Sequence, residues 1–170
     1  NTVGQDDPRL TTRNEVGILL DHQPLRVVLD SKGRTNPNAR MFGEPGNTLI
    51  AVTEGHGFEP RHTGEEVLEL PPDGNGRVDL RALVKILGAR GIVNLLAEGG
   101  GETLASLFET GLVDRTVAFI SPSIIGGRVS PSPVGGRGVV ALRDALKLES
   151  VKVEMLGKDI LVMGYTGRGS

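Results

Sequence analysis

A glycine-rich turn between two apolar segments is the part of this sequence whose residue types most clearly suggest chemistry. Glu98 is followed by three glycines, and Leu104, Leu107 and Phe108 then recur at the i, i+3 and i+4 spacing of a helix. A helix that begins at glycines presents backbone N–H groups and a partial positive charge with no Cβ atoms in the way, which suits a phosphate. Glycines alone fit a tight connection without a ligand equally well.

Two familiar phosphate-binding loops do not fit this turn. The Walker pattern requires Gly-Lys-Ser/Thr, whereas Gly101 is followed by Glu102. The Rossmann fingerprint requires Gly or Ala at its sixth position, and counting from Gly99 that position is Leu104. A nucleotide bound at this turn would therefore be bound by a different fold.

A polar N-terminal segment and a serine at the end of a strand could also contribute to a site. Residues 1–13, NTVGQDDPRLTTR, are rich in turn formers and hydrogen-bonding side chains, and they predict either a binding loop or a solvated terminal loop. The apolar residues 25–30 predict a buried parallel strand. Ser31 follows at the carboxyl end, where α/β sheets bind ligands, although an ordinary turn hydroxyl is the simpler alternative.

The elements that must position these residues alternate between strands and helices. Strands are predicted at residues 25–30, 48–53, 65–70, 92–97, 113–121, 148–156 and 160–165, and helices are predicted from the N-cap Asp79 and after Gly101, the second ending at Gly111. This order predicts an α/β fold with three layers, in which a single, mostly parallel mixed sheet ends in an antiparallel hairpin. A Gly/Pro/Ser-rich loop follows residues 122–127 and ends near Gly138; loops of this length are often functional.

Composition excludes several classes of function. The chain has 170 residues, 38% hydrophobic and 24% charged, which is typical of one soluble domain. A net charge of −2 and an aromatic content of 3% argue against nucleic-acid binding, and no apolar run approaches the roughly 20 residues of a membrane span. Cysteine is absent, which removes disulfides and thiolate chemistry and weakly favours the cytoplasm. His22, His56 and His62 lack the spacing of a metal pair, so no metal site is predicted.

Several separated motifs together resemble the reductase domain of bacterial riboflavin biosynthesis, the 5-amino-6-(5-phosphoribosylamino)uracil reductase family. The similar segments are residues 1–13, the strand end 29–31 with Arg34, the glycine turn 98–106, the turn 111–115 and the Pro-x-x-x-Gly-Gly motif at 122–127. Each motif alone is weak, but together they cover nearly the whole chain in the family's order.

The resemblance implies a dihydrofolate-reductase-like fold and an NADPH-dependent enzyme. The implied reaction reduces the ribosyl group of a pyrimidine ribosylamine phosphate to the ribityl form, in a cytoplasmic homodimer with a small-molecule substrate and no nucleic-acid or membrane partner. Hydride would add to an imine at C1′ of the opened sugar, and a nearby carboxylate would stabilise the cation or relay its proton.

The family's functional positions fall on particular residues of this chain. The resemblance assigns cofactor contacts to Thr2, Asp6 and Ser31, and the diphosphate to Gly100, Gly101, Glu102, Thr103, Leu104, Ala105 and Ser106. It assigns substrate contacts to Leu10, Arg13 and Glu98. Asp6 and Glu98 are the candidate catalytic carboxylates, and Glu98 could instead hold only sugar hydroxyls.

The chain departs from the family pattern at its beginning. Family members usually carry a strand region before the Asn-Thr-Val motif, and many carry a zinc deaminase domain whose H-x-E and P-C-x-x-C signature is absent from this sequence. We therefore expect residues 1–170 to be a single reductase domain that lacks its N-terminal strand region, without a deaminase. Two alternatives remain open, a non-catalytic nucleotide-binding domain and a reductase of another small substrate such as a pterin.

Overall fold

Parallel strand pairing organises the first of two compact units, Asn1–Leu96. In the computed structural model, strands β1 (Arg26–Leu29), β2 (Thr48–Thr53) and β3 (Glu65–Leu70) form a parallel sheet in the order β1-β2-β3. A 3₁₀ helix (Arg40–Gly43) lies between β1 and β2, and helix α1 (Leu80–Ala89) follows β3. The structure describes residues 6–55, 57–127, 129–130 and 132–167.

Strand β2 lies at the centre of the core of this unit. All six of its residues are buried, as its continuous apolar run predicts for the middle strand of a parallel sheet. Ile50 and Val52 pack with Val28 of β1 and with Met41 of the 3₁₀ helix. Burying side chains of this size stabilises the fold by about 1.5–3 kcal/mol each. The residues that follow β1 and β2 are therefore attached to a firmly packed sheet.

Helix α1 begins where the sequence predicts. The Asp79 carboxylate accepts hydrogen bonds from the backbone N–H groups of Arg81 and Ala82, at 2.8 and 3.1 Å. Leu83 and Leu87 lie on the buried face of the helix. The predicted N-cap is confirmed, because its hydrogen bonds satisfy N–H groups that have no partner within the helix.

Antiparallel pairing organises the second unit, Ala97–Ser170. Helix α2 (Gly101–Thr110) is followed by strands β4 (Arg115–Ile120), β5 (Glu149–Leu156) and β6 (Asp159–Tyr165), with a 3₁₀ helix (Leu142–Asp144) before β5. The strands form an antiparallel sheet in the order β4-β6-β5. The predicted terminal hairpin is present as β5 and β6. Gly111 ends α2 in the left-handed conformation, with φ 70°, as predicted.

Residues 92–97 differ from their prediction as a buried strand. The described backbone forms no strand there, and Val93 and Leu96 are 88% and 82% exposed. An extended segment becomes a strand only when a neighbour completes its ladder of hydrogen bonds, and apolar composition alone does not supply that neighbour. Among the described residues, the strands form one parallel and one antiparallel sheet of three strands each. The predicted α/β class with both kinds of pairing is confirmed, whereas the described strands are not joined in the single sheet that was predicted. None of the helices in the described part of the chain is long and apolar enough to cross a membrane.

Candidate active site

The predicted phosphate-binding turn forms the beginning of helix α2. Gly100 is the N-cap residue, and because it has no side chain, no side chain closes the helix end at this position. The Gly100 carbonyl accepts hydrogen bonds from the backbone N–H groups of Thr103 and Leu104, at 2.9 and 3.3 Å. Glu98, just before the turn, is exposed. The sequence therefore correctly places a glycine-led helix beginning next to a carboxylate.

Residues 132–136 dock onto the first turn of α2, a contact that the sequence does not reveal. The Gly135 N–H donates to the Gly101 carbonyl at 2.9 Å, and the Gly136 N–H donates to Oε1 of Glu102 at 3.1 Å. A Cβ atom on Gly101 would lie only 2.8 Å from the Gly135 nitrogen and from the Ser132 carbonyl oxygen. Gly101 is thus required by packing, and the Glu102 carboxylate has a structural partner.

Replacing Gly101 by alanine is expected to destabilise the chain by about 1–3 kcal/mol, because the added methyl group meets backbone atoms that cannot rotate away. Gly88→Ala in α1 is the matched control, since no atom lies within 4 Å of its added Cβ. That control should stabilise the chain by about 0.5 kcal/mol. Urea denaturation measures both changes. An equal response of the two variants would contradict the docking of residues 132–136 on α2.

Arg13 is held in a fixed orientation within the first unit. Its Nε donates to Thr11 Oγ1 at 3.1 Å, Nη1 donates to the Gly17 carbonyl at 3.0 Å, and Nη2 donates to Glu44 Oε2 at 3.3 Å. A guanidinium group carries five N–H donors, so two remain for a ligand after these three bonds. The planar fork of donors is suited to bidentate contact with a phosphate or carboxylate.

The segment that leads to Arg13 contains two residues in strained conformations. Asp7 and Leu10 have φ values of 42° and 52°, in the left-handed region that non-glycine residues rarely adopt. Pro8 favours an extended conformation at the residue before it, so the observed φ of Asp7 departs from the sequence pattern. Asp7 Oδ1 accepts from the Arg40 N–H at 2.9 Å, and Leu10 packs against the core. Strain of this kind is typical of functional segments.

Ser31 stands where β1 ends, as predicted, and its main-chain and side-chain atoms are both engaged. Its Oγ accepts a hydrogen bond from the Val78 N–H at 3.1 Å, and its carbonyl accepts one from Thr53 Oγ1 at 2.6 Å. Since the hydroxyl acts as an acceptor in the first bond, its own proton can still be donated to a ligand. Ser31 is therefore both a structural residue of the turn and a potential donor to an anion.

Asp30 shapes the same turn rather than forming part of a reactive centre. Its Oδ2 accepts from the backbone N–H and the hydroxyl of Thr35, at 2.5 and 2.6 Å. Burial acts to raise the pKa of Asp30, but the hydrogen bonds from Thr35 and from the backbone of residues 32, 34 and 35 outweigh burial and lower the pKa below its ordinary value. The ionised carboxylate holds the polar loop after β1 in place.

A cavity of about 400 Å³ opens between the loops that follow β1 and β2. Its lining residues are Lys32, Gly33, Gly57, Phe58, Glu59, Pro60 and Arg61. The guanidinium carbon of Arg61 lies 4.5 Å from the centre of the Phe58 ring. A Cβ atom on Gly33 would lie 2.7 Å from that ring, so this glycine allows the loops to meet. Phe58 and Arg61 carry no sequence signal, because they come from an irregular loop.

The predicted site residues are distributed over both units. Asp6, Leu10, Arg13 and Ser31 belong to the first unit, and none of the hydrogen bonds between described residues joins one of these four to another. Glu98 and residues 100–106 belong to the second unit. Asp6 is exposed, Ala105 is buried, and Ser106 Oγ donates to the Glu102 carbonyl at 3.0 Å. Thr2 lies outside the described residues.

Comparison with known proteins decides between the families that could carry such a turn. The family model described as the RibD C-terminal domain matches residues 1–162. The chain belongs to the RibD C-terminal domain family. The resemblance drawn from the separated motifs is thereby confirmed.

Two relatives of the RibD C-terminal domain family show how much of the chain is shared. The chain is 38% identical, over 99% of its length, to the 2,5-diamino-6-ribosylamino-4(3H)-pyrimidinone 5′-phosphate reductase of Methanothermobacter thermautotrophicus, and it covers 77% of that protein. It is 35% identical, over 97% of its length, to the chloroplastic riboflavin biosynthesis protein PYRR of Arabidopsis thaliana, but covers only 27% of it. The chain therefore corresponds to most of the archaeal protein and to about a quarter of the plant protein.

A solved RibD structure agrees with the fold. Acinetobacter baumannii RibD superposes with a TM-score of 0.77 at 22% identity, over 96% of this chain and 44% of that protein. At this identity the match concerns the fold alone, and it confirms the dihydrofolate-reductase-like fold that the motifs imply. The RibD C-terminal domain family thus explains why a glycine-led helix and a Ser-containing strand end occur in one chain without a Rossmann fingerprint.

Proposed function

We propose that the chain is a cytoplasmic, NADPH-dependent reductase of riboflavin biosynthesis that converts the ribosyl group of 5-amino-6-(5-phosphoribosylamino)uracil to the ribityl form. The observation that carries this proposal is the 38% identity, over 99% of the chain, to a protein named as the reductase of a closely related pyrimidinone phosphate. The two candidate substrates differ only in the 2-amino or 2-oxo group of the ring. Both therefore belong in the assay.

The residues of the chain supply the contacts that this reaction needs. Arg13 is oriented by three hydrogen bonds and keeps two donors for the substrate's phosphate. Opening of the ribose ring leaves an imine at C1′, and its protonated form carries a positive charge that Glu98 or Asp6 would stabilise. Bound NADPH would supply the hydride. The acid form of the same residue would donate that proton to the imine nitrogen before the hydride adds to C1′, so one proton and one hydride are added to the substrate in all.

The cavity after β1 and β2 fits an anionic cofactor. Lys32 and Arg61 place two positive charges on its lining against the single negative charge of Glu59. Neither cation has an ion-pair partner in the part of the chain that the structure describes. We assign the 2′-phosphate of NADPH to this cavity. In the second unit, we assign phosphate binding to the N-terminus of α2, where Gly100 has no side chain to cap the helix.

Lys32→Ala and Arg61→Ala should each lower kcat/KM for NADPH by about tenfold, because one charge-assisted contact to the 2′-phosphate contributes about 1.5–3 kcal/mol. Their effect on kcat/KM with NADH, which lacks that phosphate, should be small. Lys85→Ala, which removes an exposed lysine of α1, is the matched control. Steady-state kinetics with both cofactors provide the measurement. Equal losses with NADPH and NADH would place the 2′-phosphate elsewhere.

The proposed reaction is tested by incubating the purified chain with NADPH and each pyrimidine phosphate in turn. We expect loss of NADPH absorbance and a product whose mass is greater by two hydrogen atoms. A pterin substrate is included as a competing possibility. Calorimetric binding of NADPH with no turnover of any substrate would instead support a non-catalytic nucleotide-binding domain.

We also propose that the chain forms a homodimer through the β4-β6-β5 sheet. Ile120 of β4, Ile160 of β6 and Met155 of β5 lie side by side on one face of this sheet, and all three are exposed. Contiguous apolar sheet surface of this kind is unusual on a monomer. Light scattering after size-exclusion chromatography tests the proposal, and a monomeric mass at micromolar concentration would reject it.

A further inference from the structure

One carboxylate joins two arginines of the N-terminal segment. Glu44 Oε1 lies 3.3 Å from Nε of Arg9, and Glu44 Oε2 lies 3.3 Å from Nη2 of Arg13. The Glu44 side chain is only 16% exposed, whereas those of Arg9 and Arg13 are 54% and 31% exposed. Because each guanidinium group is bound by a different oxygen of the same carboxylate, the two cations are held side by side.

Glu44 is itself fixed to the core of the first unit. It directly follows the 3₁₀ helix, and its N–H donates to the carbonyl of the fully buried Met41 at 3.3 Å. Its carbonyl accepts from Nη2 of Arg26, at 3.3 Å. Arg26 is a buried residue of β1 that also donates to the carbonyls of Pro45 and Gly46, at 2.9 and 2.6 Å. The position of the Glu44 carboxylate is therefore set by the sheet.

Positive charge exceeds negative charge around this carboxylate. Arg9 and Arg13 contact the Glu44 carboxylate and Arg26 contacts its carbonyl, while the carboxylate of Asp7 is paired with Arg40 at 3.5 Å. Burial acts to lower the pKa of Arg26 and the charge of Glu44 acts to raise it, and the net direction is downward. One carboxylate therefore balances only part of the charge of three guanidinium groups.

The simplest alternative is that the two ion pairs only attach the N-terminal segment to the sheet. Partly exposed pairs of this kind contribute about 0–1 kcal/mol, so attachment alone is a weak reason for placing two arginines on one carboxylate. Arg13 already has Thr11 and Gly17 as partners for that purpose. What the arrangement adds is a pair of adjacent guanidinium groups with donors to spare, which matches the oxygens of a phosphate monoester.

We propose that Glu44 is a positioning residue that holds Arg9 and Arg13 together as a two-arginine site for the phosphate monoester of the substrate. This inference rests on the proposed reductase function and deepens it. Arg9 becomes a second phosphate ligand beside Arg13. The Glu44 carboxylate reduces the repulsion between the two cations and fixes their relative orientation, and it does not itself touch the phosphate.

Glu44→Gln tests the proposal, because it keeps the shape of the side chain and removes its charge. We expect KM for the phosphorylated substrate to rise by about tenfold, while kcat and the KM for NADPH stay within about twofold. The rise should be non-additive with that of Arg9→Ala in a double-mutant cycle, since both changes disrupt the same pair. Glu54→Gln, at an exposed glutamate after β2, is the matched control.

If Glu44 has only a structural role, Glu44→Gln will lower the urea midpoint and change kcat and both KM values together. That result would overturn the proposal. If the wild-type chain reduces neither pyrimidine, the reductase function fails but the two-arginine site can still be tested. Calorimetric titration of inorganic phosphate should then show binding to the wild-type chain that is at least fivefold weaker in Glu44→Gln and in Arg9→Ala, since each loses part of a charge-assisted contact. Equal phosphate affinity in all three proteins would reject the site.

Discussion

Arg13→Ala is expected to raise KM for the phosphorylated pyrimidine by about 100-fold, with a much smaller change in kcat. The substitution removes the two guanidinium donors that remain free for the phosphate, and each charge-assisted hydrogen bond is worth about 1.5–3 kcal/mol. Because the phosphate lies away from the reacting C1′ carbon, the lost energy should appear mainly as weaker binding. Steady-state kinetics at saturating NADPH measure both constants.

Two comparison variants test whether the rise in KM is specific to the guanidinium group of Arg13. Arg13→Lys keeps the charge but loses the planar fork, so its KM should lie between those of wild type and Arg13→Ala. Arg90→Ala removes an arginine that forms an exposed ion pair with Glu66 on the β3–α1 side of the first unit, and it should leave KM unchanged. A wild-type KM in Arg13→Ala would show that another group binds the phosphate.

Local signals in the sequence account for the elements that were predicted correctly. The apolar run of β2 marks a central parallel strand, Asp79 caps α1, and Gly111 ends α2 in a left-handed conformation. Each of these features depends on residues within one turn or one strand of each other. Patterns that involve only residues this close together can be predicted from a single sequence.

Features that depend on contacts between residues far apart in the sequence could not be predicted from local patterns. Residues 92–97 have the composition of a strand, but whether they pair depends on a neighbour that composition does not identify. The buried Arg26 lies inside an apparently apolar strand, and its partners come from 18 to 22 residues further along the chain. The docking of Gly135 on Gly101 joins a loop to a helix that lies more than thirty residues earlier in the sequence.

The motifs predict the residues of the candidate site, but they do not predict the contacts that support those residues. The motifs predict Arg13 and Ser31, and the structure places Ser31 at the end of β1 and gives Arg13 three partners. Glu44 has no motif, because its role comes from reaching two arginines 31 and 35 residues before it. Contacts of this kind require the tertiary fold, and they determine how precisely a motif residue is oriented.

Glu98→Gln is expected to lower kcat by about 10²- to 10⁴-fold, the range for loss of a group that transfers a proton in the transition state. Glu98 directly precedes the glycine turn that leads into α2, and the resemblance makes it one of the two candidate catalytic carboxylates. Asp6→Asn should act mainly on the KM for NADPH, since Asp6 is assigned a cofactor contact. The pH dependence of kcat, measured for both variants, separates the two roles.

A control variant and the kinetic pattern of each substitution separate the roles of Glu98 and Asp6. Glu69→Gln changes an exposed glutamate of β3 and should leave kcat and its pH dependence unaltered. If Glu98→Gln raises KM for the substrate but keeps the wild-type kcat, then Glu98 binds only the sugar hydroxyls and does not transfer the proton. If Asp6→Asn instead lowers kcat by this large factor and removes one limb of the pH profile of kcat, the proton-transfer role belongs to Asp6. Since a carboxamide cannot carry the proton in either position, the variant that loses this limb identifies the acid.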